Sequence, residues 1–150
     1  MTTTSLTVST IGFAGKSARA FFEPLRTAGI RRVLDIRLHN TSQLAGFAKR
    51  NHLEYLVPTI IGGEYQQVPL LAPSPELFHD YKKAGLSWND YVPRFLALMA
   101  ERRVEDQLDP ALFDGACLLC SEQQPHCCHR RLVAEYLQSK WGNIGINHLV

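Results

Sequence analysis

Apolar positions recur along this chain in two periods, one near two residues and one near 3.6. Residues 5–12 (Ser-Leu-Thr-Val-Ser-Thr-Ile-Gly) alternate and are rich in β-branched side chains, which predicts a strand stopping at Gly12. Ser17 is a ready helix cap for a stripe of Ala18, Phe21, Phe22 and Leu25, with Gly29 as the stop. Pro24 falls inside that stretch and predicts a kink or an early end. Residues 32–36 are short and apolar, as in a parallel strand covered on both faces. Residues 37–52 are polar and basic and read as a loop, and residues 53–61 read as a third strand ending at Gly62-Gly63. Ser74-Pro75 opens a helix reaching about Lys83. A further helix begins near Asn89 and shows Val92, Phe95, Leu96 and Met99 on one face, with Pro93 in its first turn. Residues 116–120 predict a fourth buried strand. Residues 128–140 predict a last helix that buries Leu132, Val133, Tyr136 and Leu137 and stops at Gly142, and a short strand follows over 146–150. Strands alternating with helices predict an α/β fold: one three-layer sandwich with a mainly parallel four- to five-stranded sheet and helices on both faces.

Composition narrows this picture without changing it. The 150 residues suit one domain, 1–150, and 45% hydrophobic with 20% charged residues is the balance of an ordinary globular protein. No apolar run approaches the roughly 20 residues of a membrane span, so no membrane partner is expected. The start of the chain has neither a basic segment nor a long apolar one, and the expected location is cytoplasmic. A net charge of +2 is too small to predict nucleic-acid binding from the whole chain. Locally, Arg26, Arg31, Arg32, Arg37, Lys49 and Arg50 stand against the single acid Asp35 within residues 26–50.

The stretch richest in chemistry runs from Cys120-Ser121-Glu122 to Cys128-His129-Arg130, joining the end of a buried strand to the start of a helix. Ligands of open α/β sheets bind at the carboxyl ends of strands, and free N–H groups with partial positive charge gather at helix starts. Cationic residues in that first turn are mildly disfavoured, so an anionic ligand at Arg130 is one explanation; ion pairs with Glu122, Glu135 or Asp35 are the other. Cys128, at the helix start among arginines and histidines, sits where a thiol pKa is expected to fall. It is the candidate nucleophile, with His129 and Glu122 as acid/base or orienting groups. Asp35 and Arg37 share one face near a strand end. Arg37 suits bidentate recognition of phosphate or carboxylate, or else an ion pair with Asp35 or Glu122. Gly12 joins Arg37, Arg130 and Asp35 as a candidate anion-binding position.

Four cysteines lie within twelve residues, Cys117, Cys120, Cys127 and Cys128. In a reducing compartment they read as packing, metal-binding or reactive thiols before disulfides. Cys117 and Cys120 point to opposite faces of a strand and cannot form a zinc pair. No metal is favoured; if one is present, Cys120, Cys128 and His129 form the set that can converge. Gly15-Lys16-Ser17 looks like the end of a phosphate-binding loop, but that motif needs a glycine five positions before Gly15, where this chain has Thr10.

Together, Thr10-Ile11-Gly12, Asp35-Ile36-Arg37, Gly46-Phe47, Tyr55, Gly62-Gly63 and Cys120-x-Glu122…Cys128-His129-Arg130 resemble the domain-of-unknown-function 488 family, over a span from about residue 8 onward. The resemblance implies a compact α/β domain with these polar residues gathered at one end of the sheet. The chain departs from the pattern at Phe13-Ala14-Gly15-Lys16 and in its extra Cys127. The leading expectation is a small enzyme acting on a phosphate-bearing or otherwise anionic substrate, a nucleotide or nucleic-acid component. A non-catalytic nucleotide or nucleic-acid binding module and a metal-dependent or thiol redox-sensing protein are the alternatives. Cofactor and oligomeric state are not legible.

Overall fold

The computed structural model describes residues 6–39, 46–122 and 128–149. Five strands form one sheet: β1 (Leu6–Gly12), β2 (Arg32–Asp35), β3 (Glu64–Gln67), β4 (Ala116–Cys120) and β5 (Ile144–His148). Their spatial order is β3-β2-β4-β1-β5, and every neighbouring pair is parallel. Between them run α1 (Ala18–Thr27), α2 (Arg50–Ile61), α3 (Pro75–Lys82), α4 (Trp88–Arg102), the short α5 (Val104–Gln107) and α6 (His129–Trp141). This is the expected α/β sandwich, with all five strands parallel.

Both faces of the sheet are covered, which is why the central strand β4, Ala-Cys-Leu-Leu-Cys, is apolar and buried throughout. On one face, Phe21, Phe22 and Leu25 of α1 and Leu53 and Val57 of α2 pack on Ile11, Val33, Cys117 and Leu119. On the other, Leu77 of α3, Tyr91, Phe95 and Met99 of α4, and Leu132, Val133 and Leu137 of α6 pack on Val8, Leu34 and Leu118. Alternate residues of β4 therefore serve opposite layers, as a two-residue side-chain period requires.

Local signals account for most element ends. Ser17 accepts from the N–H of Ala20, Ser74 from Leu77 and Ser87 from Asp90, so α1, α3 and α4 each start on a serine cap. Residues 53–61 are a correction. They lie in helix α2, not in a strand, and β3 follows the two glycines instead of preceding them. The burial of Leu53 and Val57, four residues apart, is the helical period that the apolar content of this run concealed. Gly62 takes the left-handed conformation, φ 70°, that ends the helix.

Strand order places the site. β2 leads through α2 to β3 on one side, whereas β4 leads through α6 to β5 on the other. The connections leaving the adjacent strands β2 and β4 thus part in opposite directions and cover opposite faces. A crevice opens outside the carboxyl ends of such a pair. Asp35-Ile36-Arg37 and Cys120-Ser121-Glu122 stand on its two sides, with Asp35 in register with Leu119.

The core predicts its own sensitivity. Leu118 is fully buried at the sheet centre, whereas Tyr55 is 69% exposed on α2. Leu118→Ala should lower the unfolding free energy in urea by about 2–5 kcal/mol. Tyr55→Ser should stay within about 0.5 kcal/mol of the parent chain.

Candidate functional site

The crevice between β2 and β4 widens into a cavity of about 290 Å³. Arg37, Leu38 and His39 line it from the end of β2, and Cys120, Ser121 and Glu122 from the end of β4. Cys128 and His129 come from the start of α6, and Phe78, Tyr81, Lys82, Trp88 and Tyr91 from α3 and α4.

Its aromatic wall is continuous. Trp88 stacks on Tyr91 with ring centres 5.2 Å apart, Tyr91 stacks on Phe95 at 5.8 Å, and Phe95 meets the His129 ring edge-on at 5.6 Å. Tyr81 leans on Tyr91 at 4.7 Å, and His39 meets Phe78 edge-on at 5.0 Å. Such offset and edge-to-face contacts hold rings in place beyond what area burial alone gives.

At the inner end lies a sulfur–imidazole cluster. His129 Nδ1 is 3.1 Å from Cys120 Sγ, and Nε2 is 2.8 Å from the carbonyl oxygen of Ile36. A carbonyl oxygen only accepts, so Nε2 carries the proton. In the neutral ring, Nδ1 then presents a lone pair towards Cys120. Cys120 and Cys128 are both buried, with sulfur atoms within 4.8 Å of each other, in range of a weak S–H···S hydrogen bond. Burial opposes ionisation of Cys120, but this hydrogen bond, the N–H groups of Ser121 and Glu122 and the charge of Arg130 outweigh it, and its pKa falls below the usual thiol value. Cys128 moves the other way: burial and the neighbouring Cys120 hold its proton more tightly. The more acidic sulfur is therefore Cys120. Burial at the start of α6 thus works against the lowered pKa expected for Cys128.

Arg37 and Asp35 form a buried fork. Nε donates to Oδ1 and Nη2 to Oδ2, both at 2.8 Å, with side chains 2% and 0% exposed. The N–H of Arg37 adds a third bond to Oδ1 at 3.1 Å, and the hydroxyl of Tyr65 donates to Oδ2 at 2.5 Å. Burial works against the guanidinium charge, but the hydrogen bonds and charge of Asp35 outweigh it and raise the pKa of Arg37. Nη1 of Arg37 is buried and has no partner. An ion pair with Asp35 was one of the two sequence readings of Arg37; the structure adds a donor left over for something else.

Arg130 and Gly12 lie behind the cavity and do not line it. Arg130 is fully buried; Nε donates to Thr10 Oγ1 at 3.2 Å, and Nη1 donates to the carbonyl oxygen of Glu122. A Cβ at Gly12 would collide with that same carbonyl and with Nη1. Gly12 is thus a point of close approach between the β1 end and the loop after β4, and Arg130 ties that loop down. Arg131, the third cation of this turn, lies 3.5 Å from Glu135. The carboxylate of Glu122 accepts from Lys82 Nζ at 2.7 Å, so Glu122 borders the cavity as half of an ion pair. Cys117 packs in the opposite layer, as its strand position requires. Cys127 lies outside the described residues.

The aromatic wall and Lys82 were not singled out from the sequence. A signal existed: Trp88, Tyr91 and Phe95 are spaced three and four apart, and Phe78 and Tyr81 three apart.

The model of the family Domain of unknown function DUF488 matches residues 17–137, and the chain belongs to that family. The matched span contains Asp35, Arg37, Cys120, Glu122, Cys128, His129 and Arg130. No curated protein and no solved structure matches the chain.

Two outcomes follow from these contacts. Asp35→Asn leaves a buried guanidinium without its carboxylate and should cost about 3–5 kcal/mol in urea unfolding; Lys82→Ala, which breaks a half-exposed pair, should cost at most about 1 kcal/mol. The second concerns His148, whose Nδ1 lies 2.6 Å from Thr10 Oγ1. Burial and then the charge of Arg130 lower its pKa from the ordinary 6.5. The unfolded chain therefore binds this proton first, and stability present above pH 6.5 is lost as pH falls through the folded value. His148→Asn should flatten that acid limb in thermal melts.

Proposed function

We propose that this member of the family is a small enzyme whose cavity takes a flat, ring-bearing molecule of at most one negative charge. The reacting atom of that molecule would lie against Cys120, Cys128 and His129. One juxtaposition carries the reading: a pocket walled by aromatic rings ends on an acidic sulfur in contact with an imidazole whose tautomer is fixed.

Charge narrows the ligand. The two cations of the lining, Arg37 and Lys82, each already hold a carboxylate, those of Asp35 and Glu122. A phosphate dianion would find no uncompensated charge in that pair of ion pairs. What remains is the single unpartnered Nη1 of Arg37, a donor suited to one carbonyl or carboxylate oxygen. Volume agrees, since about 290 Å³ lies at the small end of the roughly 300–1,000 Å³ of ligand sites. Of a nucleotide, this cavity suits the base better than the phosphates.

Within the cavity, the chemistry falls to few groups. Tyr91 keeps its hydroxyl proton, because burial and then the neighbouring Cys120 and Cys128 raise its pKa. His129 Nδ1 and Cys120 Sγ are the atoms able to accept a proton or attack an electrophilic carbon. Phe95 and the Ile36 carbonyl fix the imidazole plane and are positioning groups.

The chain has two tryptophans, so Trp141→Phe leaves Trp88, which lines the cavity, as the sole reporter. Titration of that variant with benzoate, a pyridine carboxylate, adenine and uracil should give saturable fluorescence quenching by at least one of them. Phe78→Ala should weaken the binding roughly tenfold, about 1.4 kcal/mol, and inorganic phosphate should not compete. Unchanged emission across the panel, or binding of phosphate alone, would overturn the reading. Turnover of a bound ring, followed by mass spectrometry, should vanish in Cys120→Ser and His129→Ala. Binding without turnover of any ring in the parent chain would leave a binding module in place of an enzyme.

A further inference from the structure

We infer that Cys120, Cys128 and His129 hold a divalent metal ion of the zinc class, with its fourth coordination position open to the cavity. The inference rests on the reading above only in taking the cavity as the place where that fourth position is used.

Three observations support the site. Cys120 Sγ, Cys128 Sγ and one ring nitrogen of His129 lie within 4.8 Å of one another, and all three residues line the cavity. A tetrahedral zinc with Zn–S near 2.3 Å and Zn–N near 2.0–2.1 Å needs sulfur–nitrogen separations of about 3.5 Å. Cys120 Sγ and His129 Nδ1, at 3.1 Å, are within about half an ångström of that. The second observation is the tautomer. Metal-bound histidines usually donate their other N–H to a carbonyl or carboxylate, which fixes the ring and its lone pair. The Ile36 carbonyl does this at 2.8 Å, and the lone pair of Nδ1 faces Cys120 Sγ. Third is charge. Two thiolates and a neutral imidazole balance a divalent cation, so the filled site adds no net charge to a lining whose ion pairs are already matched.

The ligand count decides the type. Among the described residues no fourth histidine, cysteine or carboxylate joins the group, and the nearby carboxylate of Glu122 is held by Lys82. Three protein ligands with one open position are the arrangement of catalytic zinc, whereas structural zinc is closed by four. An oxygen of the ring-bearing ligand would take the open position and be polarised there.

Cobalt(II) tests this, because its thiolate charge-transfer and ligand-field bands report both sulfur ligation and tetrahedral geometry. The full chain, reduced with a phosphine and kept free of oxygen, is titrated with cobalt(II) and then with zinc(II). One equivalent should bind with a tetrahedral thiolate spectrum, and zinc should displace it. Cys120→Ser, Cys128→Ser and His129→Ala should each weaken cobalt binding at least 100-fold, with folding checked by circular dichroism. Cys117→Ala should leave binding unchanged. Absence of a thiolate band, or affinity unchanged in the three variants, would overturn the site. A Cys127→Ser variant that loses binding as severely would overturn the open position, since the centre would then be closed by four ligands. Repeating the Trp88 quenching titration on the zinc-loaded and metal-free chain separates the two proposals. Metal binding without ring binding sinks the function reading alone, and ring binding without metal binding sinks the metal alone.

Discussion

The hydrogen bond from His129 Nε2 to the carbonyl of Ile36 crosses from α6 to the end of β2, over the strand between them. The remainder of the site depends on that contact. It requires β2 and β4 to end together, which their parallel register brings about, and it requires the loop after β4 to be held down so that α6 starts in the right place. Arg130 holds it, by bonding to the Glu122 carbonyl and to Thr10 of β1. Gly12 permits it, because any side chain there would occupy the space of that carbonyl. One imidazole orientation thus draws on three adjacent strands.

Charge is arranged with the same economy. Three arginines or lysines stand close to the cavity, and each is committed to a group of the chain itself: Arg37 to Asp35, Lys82 to Glu122, Arg130 to Glu122 and Thr10. Breaking any buried member would leave a charge in a poorly solvated place, so these residues stabilise the fold whatever else they do. Among the described residues that line the cavity, the spare N–H₂ of Arg37 is a buried donor outside this commitment. A basic motif in a sequence is therefore a weak guide to an anionic ligand until its internal partners are known.

The architecture was legible because covered parallel strands and serine-capped helices leave strong local marks. Cys120, Cys128, His129 and Arg37 were legible as a group because they sit at strand and helix ends, where open sheets collect their ligands. The misreading of 53–61 arose where an apolar run lacked clear alternation or clear helical spacing, with Pro58 inside it. Which cysteine ionises more easily was not legible, because it turns on a donor from Cys128 and on burial at the helix start, both tertiary facts. Of the rings in the aromatic wall, only Phe95 stands out in the sequence, on the apolar face of its helix. Trp88, Tyr91 and Phe95 look alike in sequence, and only the sheet topology decides that one end of their stack faces a cavity.

The place of β1 has a consequence for the order in which the protein can be made. This strand begins at Leu6, yet its two partners are β4, at Ala116–Cys120, and β5, at Ile144–His148. At synthesis rates of roughly 5–20 residues per second, β1 leaves the ribosome on the order of five to twenty seconds before either partner exists. β2 and β3 can pair meanwhile, but β2 also waits for β4 on its other side. The centre of the sheet closes only when residues 116–120 slide between two strands already present, and β5 joins the outer edge of β1 after that. The inserting strand, β4, is wholly apolar, so the nascent chain carries an unfilled slot and two exposed strand edges until it arrives.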